Sequence, residues 1–379
     1  MDFQLTERQR AVKDMVREFA KREVAPNAQK HDLSEEFPRD ILQKMGKLGL
    51  MGIMVPEEYG GSGMDAVTYS LVVEEISRAC SSTGALTSVH NSFAPCMIFQ
   101  WGTKEQKRKY IPPLARGEVF GSFAATEPNA GSDLGSMTTT ADLQGDHYVI
   151  NGSKTFISGG PRSGTCIVFA VTDKEKGAKG ISCFIVESSF KGYSVGAIFE
   201  KMGIRASETS ELIFEDMEVP RENLLGKEGE GFKMALAAID GGRVGISSQA
   251  VGIAQRALDE AIAWSRERIQ FGRPIAKLQA IQWMIADMAT RIEGSRLLTR
   301  RAAYLKDMGQ RFSKEAAMAK LMSSETAVFC ADRSLQVHGG YGYMRDHPLE
   351  RLYRDAKITE IYEGTSEVQK LVIASQVLR

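Results

Sequence analysis

Near the C-terminal end, Ile361-Tyr362-Glu363-Gly364-Thr365-Ser366 sets one carboxylate beside a glycine and two hydroxyls. A strongly charged stretch precedes this run and an apolar helical pattern follows it. Two kinds of chemistry are open to Glu363. Acidic side chains near a helix N-terminus are favoured by the helix dipole, so it could help to start the last helix. It could also be a general base, held on a short loop where backbone comes close to a substrate. Taken alone, the helix-start reading is the more ordinary.

Four further segments carry residue types suited to ligands. Thr126-Glu127-Pro128-Asn129-Ala130-Gly131-Ser132-Asp133 combines small residues with hydroxyls, which lets backbone approach a bulky ligand and donate to phosphate oxygens. It equally fits a Pro-Gly turn between domains. It is neither Gly-x-Gly-x-x-Gly nor a P-loop, so it implies no nucleotide fold by itself. Asp240-Gly241-Gly242-Arg243 reads as the opening of a long helix. That is either ordinary first-turn chemistry or a glycine surface with Arg243 holding a polar ligand between helices. Arg268-Ile269-Gln270-Phe271-Gly272-Arg273-Pro274 lies between two helices, where Arg and Phe could clamp an anion and a flat ring or merely end a helix. Gln336-Val337-His338-Gly339-Gly340-Tyr341-Gly342-Tyr343 closes the next helix. One glycine would serve as a C-cap there; three point to close backbone approach.

These segments need elements to position them. Thr6-Glu7-Arg8-Gln9 is a capping-box pattern, and Val12, Met15, Val16, Phe19, Ala20 and Val24 follow at helical spacing, with Pro26 as the stop. Further helices are expected from Pro38, along Tyr69, Leu71, Val72 and Ile76, and on through Phe93 to Gly117. From Phe123 the pattern turns to strands. Asn151-Gly152 between His147–Ile150 and Ser153–Ile157 predicts a hairpin with a type I′ turn. Short runs at Cys166–Val171, Ile181–Val186 and Glu211–Phe214 extend it to a small barrel or sandwich. Val244 to Arg268, Lys277 to Met308, Lys314 to Val337 and a last helix from Thr365 read as an antiparallel bundle.

Composition narrows the partners. With 48 basic and 48 acidic side chains the net charge is zero, so nothing favours nucleic acid. No apolar run approaches the roughly 20 residues of a membrane span. Met1-Asp2-Phe3-Gln4-Leu5 lacks the pattern of a secretory signal, and five scattered cysteines without a Cys-x-x-Cys pair suit a reducing, cytoplasmic setting. No His-x-x-x-His pair is present, so no metal is expected.

In this order the segments resemble the acyl-CoA dehydrogenase family over essentially the whole chain. The ordered set is Thr126-Glu127-Pro128 to Asp133, Asn151-Gly152 with Lys154, Arg268 with Phe271-Gly272, Gln336 with Gly339-Gly340, and Tyr362-Glu363-Gly364-Thr365. Within the family the closing pattern Ile361 to Glu367 is most like the short-chain, butyryl-CoA type. The resemblance implies an α+β multidomain fold: an N-terminal α-helical domain (1–121), a central β-barrel domain (122–230) and a C-terminal four-helix bundle (231–379). It implies FAD as cofactor, an acyl-CoA substrate, electron-transfer flavoprotein as redox partner, and a homotetramer built as a dimer of dimers.

Carried over by position, Phe123, Ala125, Thr126, Ser132, Phe156, Ile157 and Ser158 would contact the flavin, with Phe156 standing where the family usually has Trp. Arg268, Phe271, Gln279, Gln336, Gly339 and Gly340 would reach the FAD of a neighbouring subunit, and Thr365 and Glu367 would touch it from the last helix. Val89, Ser132, Asp240, Gly241, Gly242, Arg243 and Gly364 would hold the substrate. The chemistry implied is α,β-dehydrogenation to the 2-enoyl-CoA. Glu363 would remove the α-proton while hydride leaves the β-carbon for flavin N5, and its own N–H would support the thioester oxygen. Some members carry the base at the position of Gly242, and glycine there leaves Glu363 without a rival.

Gly84 stands where glutaryl-CoA dehydrogenases have an arginine, which disfavours a dicarboxylic substrate. Val89, His90 and Asn91 would lie where the acyl tail ends, with the two polar side chains free to point outward, and a short straight, branched or alicyclic acyl group is expected. Alternatives are an acyl-CoA oxidase, disfavoured by chain length; nitroalkane oxidase, disfavoured by Glu rather than Asp; and a non-catalytic acyl-CoA-binding protein of the same fold.

Overall fold

A computed structural model describes residues 4–378; the first and last expected domain limits, 1 and 379, fall outside them. The N-terminal region is helical: α1 (Glu7–Phe19), α2 (Ala28–Ser34), α3 (Arg39–Lys47), α4 (Ala66–Ala79), α5 (Ser81–Ser92), α6 (Ala94–Trp101) and α7 (Lys104–Ala115). The capping box forms as the sequence predicts: Thr6 Oγ1 accepts from Gln9 N–H, and Gln9 Oε1 from Thr6 N–H. After α1 the helix widens into one π turn, Ala20–Val24, and a 3-10 turn carries Pro26. Helices α4 and α5 are buried along almost their whole length, because α8 of the C-terminal region closes over them.

The middle region holds β1 (Phe120–Ala124), β2 (Thr140–Gln144), β3 (His147–Ser158), β4 (Ser163–Val171), β5 (Ile181–Glu187), β6 (Tyr193–Ile198), β7 (Thr209–Pro220) and the short β8 (Leu224–Leu225). They form one sheet in the order β6-β7-β3-β2-β4-β5-β8, with β1 parallel to β4. The sheet is not closed into a barrel. No pairing joins β6 to β8 among the described residues, and β2 meets β4 only at Thr140 and Val171. Tyr148, Ile150 and Leu212 from one half share a core with Cys166, Val168 and Phe184 from the other, so the sheet bends over itself.

The expected hairpin turn at Asn151-Gly152 is a correction. β3 runs unbroken through both residues, and the chain reverses instead at Gly145-Asp146. Gly152 is a bulge with φ +144°, where the register against β7 shifts. A Cβ there would lie 2.6 Å from Thr139 Oγ1, so close strand packing rather than a turn selects the glycine.

The C-terminal region comprises α8 (Gly231–Glu267), a two-residue ribbon of β9 (Ile269–Gln270) and β10 (Arg273–Pro274), α9 (Gln279–Asp307), α10 (Ser313–His338), α11 (Leu349–Ile358) and α12 (Ser366–Val377). The bundle has the helices expected, plus the short α11. Helix α8 begins a dozen residues earlier than its apolar pattern suggested, so Asp240-Gly241-Gly242-Arg243 lies inside the helix rather than opening it. Two interior glycines weaken a helix by about 1 kcal/mol each, so tertiary packing must favour them here. No described helix is long and apolar enough to cross a membrane.

Candidate active site

Glu363 lies in the turn between α11 and α12. Tyr362 N–H donates back to Ile358 O (3.1 Å) and Ser366 N–H to Glu360 O (3.0 Å), which closes the turn on itself. Glu363 has φ +53° and Gly364 φ +93°. A left-handed glutamate is strained, whereas glycine adopts that region freely. The helix-start role falls to others: Thr365 is the N-cap of α12, accepting from Val368 N–H, and Glu367 is the acid of its first turn.

The Glu363 carboxylate points instead at α8. A Cβ on Gly242 would fall 2.1 Å from Glu363 Oε2 and 2.9 Å from Phe93 Cζ. Both carboxylate oxygens are shielded from solvent, and neither has a hydrogen-bond partner among the described residues. Burial pushes the carboxyl up to about 8, against the opposing pull of the Lys320 and Arg243 cations. No backbone carbonyl among the described residues takes the Glu363 N–H. Among the described residues, Glu363 thus offers both an unpaired carboxylate and an unpaired backbone donor.

Neighbouring side chains complete the enclosure. Arg243 is buried; its Nη1 donates to Asp240 Oδ1 (2.8 Å), while Ser313 Oγ donates to Asp240 Oδ2. Phe93 stacks on Phe123 with ring centroids 4.2 Å apart, and Val89 belongs to the same apolar cluster. On the same α8, a Cβ on Gly245 would lie 2.1 Å from both Ser88 Oγ and Tyr69 Oη. The structure therefore brings together Val89, Phe123, Asp240, Gly241, Gly242, Arg243, Glu363 and Gly364.

His90 and Asn91 do not point outward. His90 Nδ1 accepts from Gly121 N–H, so Nε2 carries the proton and donates to the Met51 and Leu114 carbonyls, at 3.0 and 3.1 Å. Burial pushes this ring down to about 4. Asn91 accepts from Ile53 N–H and donates to the Leu50 and Thr87 carbonyls. Both side chains spend their polarity on backbone, tying α5 to the 50–53 turn and to β1.

The residues expected at the flavin form a second group beside this pocket. Thr155 N–H donates to Thr126 O (2.9 Å), which joins the loop after β1 to β3. Phe156, at φ +58°, leaves its ring 65% exposed and tilted against Phe199. Ser132 is exposed, Thr126 and Ser158 are half-buried, and a Cβ on Gly131 would meet nothing within 4 Å. Ala125 and Ile157 are buried, which leaves only their backbone for a ligand. An exposed ring beside an open, hydroxyl-bearing loop fits a flavin with its polyol and phosphates.

Beneath this loop is a feature that the sequence pattern carried only as a motif residue. Lys154, fully buried, donates to Glu127 Oε1 at 2.7 Å; Glu127 also accepts from the Thr138 and Thr139 N–H groups. Burial alone would raise the Glu127 carboxyl, but Lys154 and these donors hold it near 2.

A third group stands apart. Arg268, Phe271, Gln336, Gly339 and Gly340 line a cleft of about 560 Å³ with Trp264 and Tyr341, and no residue of the Glu363 pocket or the β1–β3 group lines it. Phe271 is 90% exposed at φ +52°, and Arg268 lies over the Trp264 and Tyr341 rings. Gln279 is exposed at the start of α9, and Thr365 and Glu367 stay with the Glu363 turn.

Sequence reasoning missed Lys320 and Gln369. Lys320 Nζ donates to Gly364 O (2.8 Å), and Gln369 Nε2 donates to the same carbonyl (2.7 Å). A lysine sharing a helix face with Ala316, Ala317, Ser323 and Ser324 was the available signal, because a face of small residues lets another element pack closely against it and buries whatever lies on it.

Comparison with known proteins agrees with this arrangement. Family models of acyl-CoA dehydrogenase match in three parts: the N-terminal domain at residues 6–118, the middle domain at 122–217 and the C-terminal domain at 229–378. The chain is 53% identical over 379 residues to the short-chain specific acyl-CoA dehydrogenase of Clostridium acetobutylicum, covering 100% of each. It is 52% identical to the acryloyl-CoA reductase (NADH) of Anaerotignum propionicum, over 100% of this chain and 96% of that one. Among solved structures, it matches at TM-score 0.99 and 50% identity, with 100% of each covered, a chain described under "Electron transferring flavoprotein of Acidaminococcus fermentans: Towards a mechanism of flavin-based electron bifurcation". The chain belongs to the acyl-CoA dehydrogenase family. It is an FAD-dependent oxidoreductase.

Proposed function

We propose that the protein oxidises a short-chain acyl-CoA thioester to the 2-enoyl-CoA, with Glu363 as the base. The carrying observation is the buried, unpaired carboxylate aimed at the notch left by Gly242. A substrate Cα–H in that notch meets a carboxylate with no competing donor, so the proton moves to Glu363 Oε1 or Oε2. The free Glu363 N–H lies on the same residue and donates to the thioester oxygen as charge develops there. FAD, when bound against Phe156 and the Thr126 loop, supplies the acceptor for the β-hydrogen as hydride. Asp240 and Arg243 hold the thioester end, with Ser313 fixing Asp240. Phe93, Val89 and Phe123 exclude water around the acyl carbons.

A short acyl group suits the pocket, because His90 and Asn91 are locked in backbone bonds and α5 cannot swing away. A dicarboxylic tail has no anchor at position 84, where a Cβ would sit 1.9 Å from Ser77 Oγ. We read the third group, with Gln279, as contacts to a neighbouring subunit's FAD in a homotetramer, supported by its separation from Glu363 within one chain. Electron-transfer flavoprotein is the redox partner we infer, supported by the likeness to the chain described under that name.

Holoenzyme should bleach anaerobically with a short-chain acyl-CoA. Glu363→Gln should keep its yellow FAD and lose at least about 1,000-fold in turnover, because a carboxamide cannot accept the proton. Near-parental bleaching in that variant refutes the assignment. Running the same site in reverse, as a 2-enoyl-CoA reductase, is favoured by one observation. A carboxyl held near 8 is mostly protonated at neutral pH, ready to give its proton to the α-carbon. Rates in both directions across pH 6 to 9 separate the two.

A further inference from the structure

We propose that Lys320 is a positioning residue for Glu363: with Gln369 it clamps the Gly364 carbonyl and so keeps the base turned toward Gly242. The inference rests on the reading of Glu363 as the base.

Lys320 is 0% exposed on α10, and its ammonium finds a single acceptor among the described contacts, Gly364 O at 2.8 Å. Gln369 Nε2, from the first turns of α12, donates to that carbonyl at 2.7 Å and lies 3.4 Å from Glu363 O. Two donors from two helices therefore fix one peptide. That peptide, between Gly364 and Thr365, lies one residue beyond a glutamate at φ +53°, a conformation that persists only where its surroundings over-determine it. Burying an ammonium is costly, and one backbone carbonyl is a modest return if its only role is to join α10 to the turn. Burial pulls the Lys320 amine down to about 8; Glu363, Glu360 and Glu367 work against that pull, and Arg243 adds to it. Lys320 in turn favours the ionised Glu363. Tyr69 and Tyr362, the other titratable groups facing Glu363, are held protonated by burial. The same amine thus fixes where the carboxylate points and supports the form that accepts a proton.

The test uses holoenzyme and butyryl-CoA as probe, following exchange of the α-hydrogen with D2O by NMR in reduced enzyme alongside steady-state turnover. Exchange reports the proton step without hydride transfer. Lys320→Met should fold and retain FAD. Its exchange and kcat should fall about 100-fold with KM within about threefold, as expected for a misplaced group. The acid limb of its pH profile should move up by about one unit as the cation is lost. Gln369→Leu, which removes a donor but no charge, should lose about tenfold in exchange with the limb unmoved.

A yellow Lys320→Met with parental exchange and an unmoved limb overturns the proposal. So does a loss confined to Tm and FAD content, which is what a purely structural lysine gives. Should Lys320→Met fail to fold, Gln369→Leu decides: a tenfold loss supports the clamp, and a parental exchange rate overturns it. Glu363→Gln separates the two readings. If it still exchanges the α-hydrogen, the base assignment itself fails; if it is silent while Lys320→Met is normal, only the present inference fails.

Discussion

At the scale of single residues, the site depends on a carboxylate kept dry and a glycine kept small. Glu363 has its folded pKa raised from 4.5 to about 8 by burial, so folding destabilises its ionised form. Its contribution is favourable below about pH 4.5, where both states are protonated, and is lost as pH rises toward 8. Glu363→Gln does not titrate. Its Tm should match the parent near pH 4 and exceed it increasingly up to pH 8, as read by calorimetry. Oxidative kcat/KM of the parent should rise with pH through the same interval, because Glu363 must be ionised to act as the proposed base. Gly242→Ala tests the notch from the other side. Its methyl would meet Glu363 Oε2 at 2.1 Å, so kcat/KM should fall about 100-fold with FAD retained, measured by anaerobic bleaching.

At the scale of elements, the loop after β1 and the strand β3 are one unit because of a buried ion pair. Lys154→Met removes the cationic partner of Glu127 and leaves its buried carboxylate with neutral donors alone. The expected cost is about 3–5 kcal/mol, with FAD lost before the fold melts. Adding Glu127→Leu should recover much of the stability but not FAD affinity, since the Thr138 and Thr139 N–H groups would still lack their acceptor. Chemical denaturation with parallel FAD fluorescence distinguishes the two. Element types were largely legible in the sequence, because apolar spacing and capping residues act locally: α1 with its Thr6 box and the strands over 166–171 and 181–186 were all anticipated. The turn at Asn151-Gly152 was not, because a bulge and a hairpin use the same residue types and differ only in what packs opposite.

At the scale of the whole molecule, three regions meet at Arg354. It donates to both carboxylate oxygens of Asp32 in the N-terminal region and to Met202 O in the middle region, and it also pairs with Glu350 on its own helix. The next residue, Asp355, accepts from Ile204 N–H. Arg354→Ala should strand the buried Asp32 and cost about 3–5 kcal/mol. Because the knot joins regions rather than shaping the pocket, the surviving holoenzyme should bleach at nearly the parental rate. A thermal melt beside stopped-flow bleaching checks both halves.

What the sequence determined by itself was chemistry of short range. It carried the three-part order of helix, strand and helix and the hydroxyl-rich loop suited to a cofactor, which depend on neighbours within a few residues; the reading of Glu363 as a base rests on the ordered motifs of the whole chain. The tertiary structure decided what lies opposite. Gly241 and Gly242 read by pattern as the opening of a helix, whereas α8 carries them mid-helix past Glu363; His90 and Asn91 read as free to point outward, whereas backbone groups hold both inside. The sheet read as a barrel because strand count and spacing cannot specify whether the last strands pair. The small residues around Lys320 signal its burial but not its partner: the acceptor lies 44 residues away, and only the packing of α10 against the Glu363 turn brings amine and carbonyl together.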